Sequence, residues 1–235
     1  QQSRQQAAVA HFGQRALVEH DLQALMDEAT SLAADILNIE YTKVLKLLPD
    51  KTRLLLCSGI GWKPGLIGYR TVEVEKKSQA GYTLLTDKPV TVTDFQTEKR
   101  FAAPSLLTDH GVASGISVSI PGAEKPWGVF GTHASQPRIF TSDEIHFISS
   151  LANALGFAIA HNEATNSLKA SETEHRTLFE TTREGIIIAD ANNNITSLNP
   201  AATTMLGYSS AEELVGTSTT ELYLDTEDRE VVFKA

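Results

Sequence analysis

Val112-Ala-Ser-Gly-Ile-Ser-Val-Ser-Ile120 is followed by Pro121-Gly-Ala-Glu-Lys-Pro126 and then by Trp127-Gly-Val-Phe-Gly-Thr-His133. In the first run, apolar residues alternate with small or polar ones, the period-2 signature of a strand with one buried face. The second run is short and has the same β character. The loop between them, with glycine and two prolines, supplies the chemistry of a hairpin connection. Soon afterwards Thr141-Ser-Asp-Glu144 has the S/T-x-x-E spacing of a capping box, so a helix is expected from Ser142. An antiparallel pair that leads straight into a helix predicts an α+β arrangement, a sheet covered by helices.

On the N-terminal side, Leu22, Leu25, Met26, Ala29, Leu32, Ala33 and Ile36 recur at helical spacing and give one continuous apolar face. Residues 7–18 are also helix-compatible despite Gly13, either extending that helix or packing beside it, with Gly13 as a place for a kink. Tyr41–Leu48 and Arg53–Ile60 read as strands separated by Pro49-Asp-Lys-Thr52, a second hairpin. Residues 59–68 carry four glycines and Pro64 and form a connection. No Lys-Ser/Thr ending follows, so this is not a phosphate loop. Val72–Glu75 is expected as a short strand, Gln79–Thr86 as a short helix and Val90–Val92 as a strand, with loop-like sequence running to Asp109.

On the C-terminal side, the helix after Ser142 carries two apolar stripes. One is Ile145, Ile148, Ala152, Leu155 and Ile159, and the other is Phe147, Leu151, Ala154 and Ala158. The first would cover the sheet, and the second requires another partner. No proline occurs between Arg138 and Asn199, and residues 161–174 are polar helix formers. If residues 142–179 are one helix, it is on the order of 55 Å long.

Of the 235 residues, 41% are hydrophobic and 21% charged, the composition of an ordinary globular chain. The 29 acidic against 20 basic residues give a net charge of −9 and no basic stripe, which disfavours nucleic acid as a partner. Cys57 is the only cysteine and reads as a small buried strand residue; neither an intrachain disulfide nor a cysteine-based metal site follows from it. No run approaches the roughly 18 apolar residues of a membrane span. The expectation is a cytoplasmic chain without membrane contact, and its start at Gln1 marks it as an excised piece of something longer.

The ordered set of helix, hairpin, loop-rich middle, Gly111–Pro121, Trp127–Gly131, Phe140-Thr-Ser-Asp-Glu144 and long apolar helix resembles the GAF family over residues 22–162. A second set begins at Arg176: Leu178-Phe-Glu180, Glu184-Gly-Ile-Ile-Ile-Ala-Asp190, Asn199-Pro-Ala201, Leu206-Gly-Tyr-Ser209, Glu212-Glu-Leu-Val-Gly216 and Asp228-Arg229. It resembles the N-terminal half of a PAS domain, which implies three further strands beyond Ala235. The expected organisation is an N-terminal helical segment (1–21), a GAF domain (22–162), a connecting helix (163–175) and a partial PAS-like α/β segment (176–235).

The GAF resemblance implies a ligand cavity between the sheet and the loop-rich middle, walled by Asp94, Phe95, Phe101, Leu106, His110, Val112, Ser114, Ile116 and Phe130. The alternative is a cavity collapsed onto its own side chains. A covalent bilin would need a thiol before the strand near Gly111, where this chain has Ala102, Ala103 and Ser105. Cyclic-nucleotide relatives carry Asn-Lys where Thr132-His133 stands, although Phe140, Asp143 and Glu144 match in part. Haem would need an axial histidine, for which His110 is best placed, while His133, His146 and His161 read as surface or interface residues. None of these cofactors is favoured, the ligand stays unidentified, and no metal is expected.

No Gly-x-Ser-x-Gly elbow or His-Glu-x-x-His motif is present, and one cysteine does not suffice for the GAF-related methionine sulfoxide reductases. The resemblance therefore implies a non-enzymatic sensory module of a bacterial-type multidomain sensor, a histidine kinase of a two-component system or a diguanylate cyclase. A homodimer is expected through Leu22, Leu25, Ala29 and Leu32 together with Phe147, Leu151, Ala154 and Ala158. Two alternatives stand beside it: a ligand-free dimerisation platform, and an unrecognised enzyme that uses Asp94, Asp109 and His110.

Overall fold

The computed structural model describes residues 2–74 and 78–222, in two compact units divided between Ala164 and Thr165. Glu75 of the expected third strand and the Asp228-Arg229 pair lie outside the described residues.

The first unit opens with α1 (Gln2–Val18) and α2 (Leu22–Leu37). Asp21 caps α2 by accepting from the backbone N–H groups of Gln23 and Ala24, and Asn38 ends it with a left-handed φ of 48°. Arg15 on α1 pairs with Glu28 on α2 at 3.3 Å, so the two helices form an antiparallel hairpin. Six strands follow: β1 (Tyr41–Leu47), β2 (Arg53–Ile60), β3 (Thr71–Glu73), β4 (Val90–Val92), β5 (Ser114–Ile120) and β6 (Gly128–Ala134). They pair in the order β3-β2-β1-β6-β5-β4, every pair antiparallel. Two short helices, α3 (Gln79–Thr86) and α4 (Ser105–Thr108), lie in the connections.

The long helix α5 runs without interruption from Ser142 to Thr181. Its capping box forms as the spacing predicts: the Thr141 N–H donates to Glu144 Oε2 at 2.8 Å, and the Glu144 N–H donates to Thr141 Oγ1 at 3.2 Å. Glu144 also pairs with Arg138, which reaches the Leu37 carbonyl at the end of α2.

Strand alternation divides the sheet's two faces. Val44, Ile116, Val118, Ile120 and Phe130 form one core with Leu25 and Ala29 of α2 and with Ile148, Leu151 and Leu155 of α5. Phe12 and Ala16 of α1 belong to that core, and Phe12 is fully buried. Burying a phenylalanine of this kind contributes roughly 1.5–3 kcal/mol. Gln5 and Val9 share a groove with His146 and Phe147, and Asn162 donates to the His20 carbonyl, so α1 lies parallel to the first half of α5.

The second stripe of α5 thus finds its cover within the chain. Leu25, Ala29, Phe147, Leu151 and Ala158, expected at a dimer interface, are buried in this intramolecular core, with Leu22, Leu32 and Ala154 half-buried against it. The polar look of α1, with its glutamines, hid the narrow stripe of Val9, Phe12 and Ala16 that supplies the cover.

In the second unit, β7 (Ile187–Ala189) and β8 (Ile195–Leu198) form an antiparallel hairpin. Its turn is closed by Asp190, which accepts from the N–H groups of Asn192 and Asn194, both at 2.9 Å. Asn199 is fully buried: its Oδ1 accepts from Ile186 N and from Ala202 N, and its Nδ2 donates to the Glu184 carbonyl. It therefore caps α6 (Pro200–Leu206), which Gly207 ends at φ 82°. A small core of Ile195, Leu198, Ala202 and Leu214 holds these pieces together.

Candidate functional site on the inner face of the sheet

The face of the sheet turned away from the long helices is apolar at one end. There Leu45, Leu54, Leu56 and Val129 pack with Val72, Ala80 and Leu106. Toward β5 and β6 it changes character. Lys43 of β1 stands opposite Gly59 of β2 and Gly131 of β6, and His133 of β6 stands opposite Gly115 of β5. A Cβ at Gly131 would meet His133 Cε1 at 2.9 Å and Lys43 Cε at 3.0 Å, so the two side chains lie together over that glycine. One at Gly115 would run into the His133 ring, and one at Gly59 would meet Trp62 Nε1 at 2.6 Å. Three glycines from three strands thus form a floor on which Lys43, His133 and Trp62 rest.

Lys43 is 2% exposed, and His133 is fully buried. No carboxylate and no hydrogen-bond acceptor meets the Lys43 amine among the described residues; its neighbour is the Trp62 ring, 5.9 Å from Nζ to centroid. Burial without a counter-charge penalises the ammonium form and pulls the Lys43 pKa down to about 7. His133 is held well below its ordinary value, first by burial and then by the charge of Lys43, so its ring is neutral.

Gln79, at the start of α3, fixes the His133 tautomer. Its amide nitrogen donates to the carbonyls of Val90 (3.1 Å) and Gly115 (3.4 Å), which leaves Oε1 facing His133 Nε2 at 3.0 Å. The network therefore assigns the ring proton to Nε2. Nδ1 is left as a buried acceptor with no partner among the described residues. Trp62 closes the arrangement: its Nε1–H donates to the Thr42 carbonyl at 2.6 Å, and its ring packs on Tyr41 and edge-on to His110.

The residues expected to wall a cavity do not share one surface. Ile116 and Phe130 lie under the helices on the opposite face, and Ser114, in phase with Ile116, spends its hydroxyl on the Gln136 carbonyl. Ile116 of β5 and Phe130 of β6 were assigned to the ligand side, but the helices claim them, and Gly115, Ser117 and Ser119 of β5 face inward instead. Leu106 does face inward. Phe101 and Phe95 join Val90, Val92 and Tyr82 in a cluster at the β4 edge, and Val112 is buried. The Asp94 carboxylate caps its own turn at Gln96 N.

His110 has both ring nitrogens engaged, Nδ1 with the Leu106 carbonyl at 2.8 Å and Nε2 accepting from Lys63 N at 3.0 Å. Asp109 is exposed, and no hydrogen bond joins it or Asp94 to the His110 ring. That arrangement leaves the ring no free nitrogen for base or haem-ligand work without breaking backbone contacts. Among the described residues, no group of three or more His, Cys, Asp or Glu could hold a metal ion. Cys57 is half-buried rather than fully buried, and burial pushes its thiol up, toward the unreactive form.

His133 was read as a surface or interface residue and is instead fully buried. Lys43, Gln79 and Trp62 were not anticipated. The available signal was a lysine beside Val44 and Leu45 inside the Tyr41–Leu48 strand run, together with glycines near His133.

Comparison with known proteins agrees with this architecture. The GAF domain model matches residues 21–159, and a PAS domain model matches residues 173–235. The methyl sulfide methyltransferase-associated sensor of Methanosarcina acetivorans is 32% identical over 88 residues, which is 37% of this chain and 9% of the relative's length. Among solved structures, the GAF domain of a phosphoenolpyruvate-protein phosphotransferase from Coxiella burnetii matches with a TM-score of 0.64 at 13% identity. That match covers 71% of this chain and 99% of the other. A segment of a methyl-accepting chemotaxis protein matches with a TM-score of 0.57 at 14% identity, over 66% of this chain and 98% of that one. No helix of the described residues is long and apolar enough to cross a membrane. With more than half of its length matched by the GAF model, the chain belongs to the GAF domain family and carries a PAS domain after it.

Proposed function

We propose that this chain is the cytoplasmic, non-enzymatic input segment of a sensor protein. Its GAF domain receives a small molecule on the inner face of the sheet, and α5 carries the resulting change toward an output domain of the histidine kinase or diguanylate cyclase kind. The observation that carries the reading is α5 itself. Phe147, Ile148, Leu151, Leu155 and Ile159 build it into the GAF core, and the same unbroken helix continues to Thr181, so a shift in that core has a stiff element to act on.

The proposal includes a homodimer. Because the residues first expected at its interface are buried, the interface is placed on the exposed apolar positions Phe157, Leu168 and Leu178 of α5. Their separations of 11 and 10 residues suit one seam of a coiled coil at 3.5 residues per turn. Native mass spectrometry with an absorption spectrum tests both parts. A dimer that carries a stoichiometric small molecule supports the reading, and Leu168→Glu is expected to convert that dimer to monomer. A monomer at high micromolar concentration would remove the dimer relay. A bare dimer would favour the dimerisation platform, a reading supported by the close packing of Trp62 over Gly59 and Lys43.

A further inference from the structure

Ile159 is the last residue of α5 to be buried within the chain, yet the helix runs on to Thr181. Helix propensity alone sustains so polar a stretch poorly in water, and packing against a neighbour is the usual support. Phe157, Leu168 and Leu178, each more than half exposed, set the register of that support. Alternate steps of four and three residues lead from Phe157 through His161, Ala164, Leu168, Ser171 and His175 to Leu178, the spacing of a two-stranded coiled-coil seam. His161 and His175 therefore fall on the seam itself. For His161 the structure adds a second sign: its ring lies parallel to that of Phe157, with 4° between the planes and 6.3 Å between centroids, so both rings share one face of the helix.

We infer that the α5 seam takes a second copy of this chain in parallel, and that His161, set against the partner's His161, makes the pairing depend on pH. The dimer holds while the imidazoles are neutral and loosens as they gain protons. This rests on the dimer proposed above and assigns its regulation. A second copy is the occupant because the seam calls for a helix of its own length and phase, and among the described residues α5 alone has both. The flanking Ala160, Thr165 and Ser167 are small and uncharged, so they admit an identical helix closely and offer a charged partner nothing to read. A parallel pair sets identical seam positions opposite one another, which places the two His161 rings in one layer.

The surroundings of the two histidines differ. Within one turn of His161 on α5 stand Phe157, Ala158, Ala160, Ala164 and Thr165, none of them charged, and Glu163 is about 200° round the helix. The α1–α2 turn reaches the same level, where Asn162 donates to the His20 carbonyl, and it brings Glu19, His20 and Asp21. Glu19 is spent on Arg15 and on the N–H groups of His20 and Asp21, and Asp21 on the cap of α2. His20, once protonated, adds like charge. His175, by contrast, lies between Glu172 and Glu174, whose carboxylates offset a proton gained there. Protonation thus costs the dimer most at His161.

The test is sedimentation equilibrium of the whole chain at about pH 8 and about pH 6, across which histidine side chains change charge. Two histidines per dimer that take up protons only in the separated chains should raise Kd by about tenfold between those values. His161→Leu is expected to dimerise more tightly than the parent and to lose most of that ratio, whereas His175→Leu keeps it. His161 is exposed in the single chain, so leucine there leaves the monomer's core as it is. Equal Kd at the two pH values, or an undiminished ratio in His161→Leu, would overturn the inference and leave the dimer standing. A chain that stays monomeric at both, at high micromolar concentration, removes the dimer and the inference together.

Discussion

Replacing Lys43 with methionine probes the buried amine through the stability of the first unit. Methionine matches most of the lysine stem, so the apolar contacts over Gly131 and Trp62 are kept and the titrating nitrogen is removed. In the unfolded chain the lysine titrates near its ordinary 10.5, and in the folded chain burial holds it at about 7. Between those two values the unfolded chain binds more protons than the folded one, so wild-type stability rises with pH across that window. Below the window the full cost of burying an ammonium is present, and above it the cost is gone. Each pH unit inside it is worth about 1.4 kcal/mol, and the whole interval at most about 5 kcal/mol. Lys43→Met is therefore expected to exceed the wild type in stability by several kcal/mol at about pH 6, with the gap closing markedly by about pH 9. Urea unfolding followed by tryptophan emission reports this directly, since Trp62 and Trp127 both lie in the first unit. A variant less stable than wild type at the lower pH, or a gap that does not change with pH, would refute the placement of an unpaired amine in the core.

Phe12→Ala should destabilise the first unit by about 3–5 kcal/mol, the range for emptying a phenylalanine-sized core position, and a cost below about 1 kcal/mol in the same urea assay would deny α1 its place in the core. Glu144→Ala removes the capping partner of Thr141 and leaves Arg138 without its carboxylate, and about 3 kcal/mol is expected. Glu144→Gln keeps an acceptor for the Thr141 N–H and should cost less; equal costs would show that the cap contributes nothing. Asn199→Ala unties three hydrogen bonds at once, so the Ile186 amide should exchange with solvent much faster by NMR, and unchanged protection would place its partner elsewhere.

The elements were legible wherever the signal was local. The alternation in 112–120, the Thr141–Glu144 spacing and the Asp190–Asn194 turn each act within a few residues, and each appears where its chemistry puts it. What the sequence hid was the choice of face. Alternation shows that Ile116, Val118 and Ile120 share a side, but not that three helices would claim it, because α1 shows only a narrow stripe among glutamines. The floor under Lys43 and His133 was hidden for a different reason. Gly59, Gly115 and Gly131 lie on three strands and acquire a common purpose only once β2, β1, β6 and β5 are in register. Composition, moreover, argues that a lysine points to water, and its place next to Val44 and Leu45 in a strand run is a weak signal against that.

The alternation that misdirected the site assignment also explains how an inner-face event would reach α5 on the proposed reading. Lys43 and Val44 are neighbours in β1, as are Thr132 and His133 in β6, and each pair splits across the sheet. Val44 stands directly opposite Phe130, and both belong to the core that holds Ile148, Leu151 and Leu155 of α5. A change on the inner face over β1 and β6 therefore bears on the two central strands, and each carries a core residue one to three positions from its inner-face side chain. Close-packed cores do not deform smoothly, so displacement of Val44 and Phe130 must be answered by repacking against α5. A ligand at the β4 edge, beside Phe95 and Phe101, would instead act on a three-residue strand that contributes to a separate cluster. The centre of the sheet is thus the place from which an inner-face event reaches the long helix by the shorter mechanical path, and that favours the β1–β6 centre over the β4 edge for the proposed sensory role.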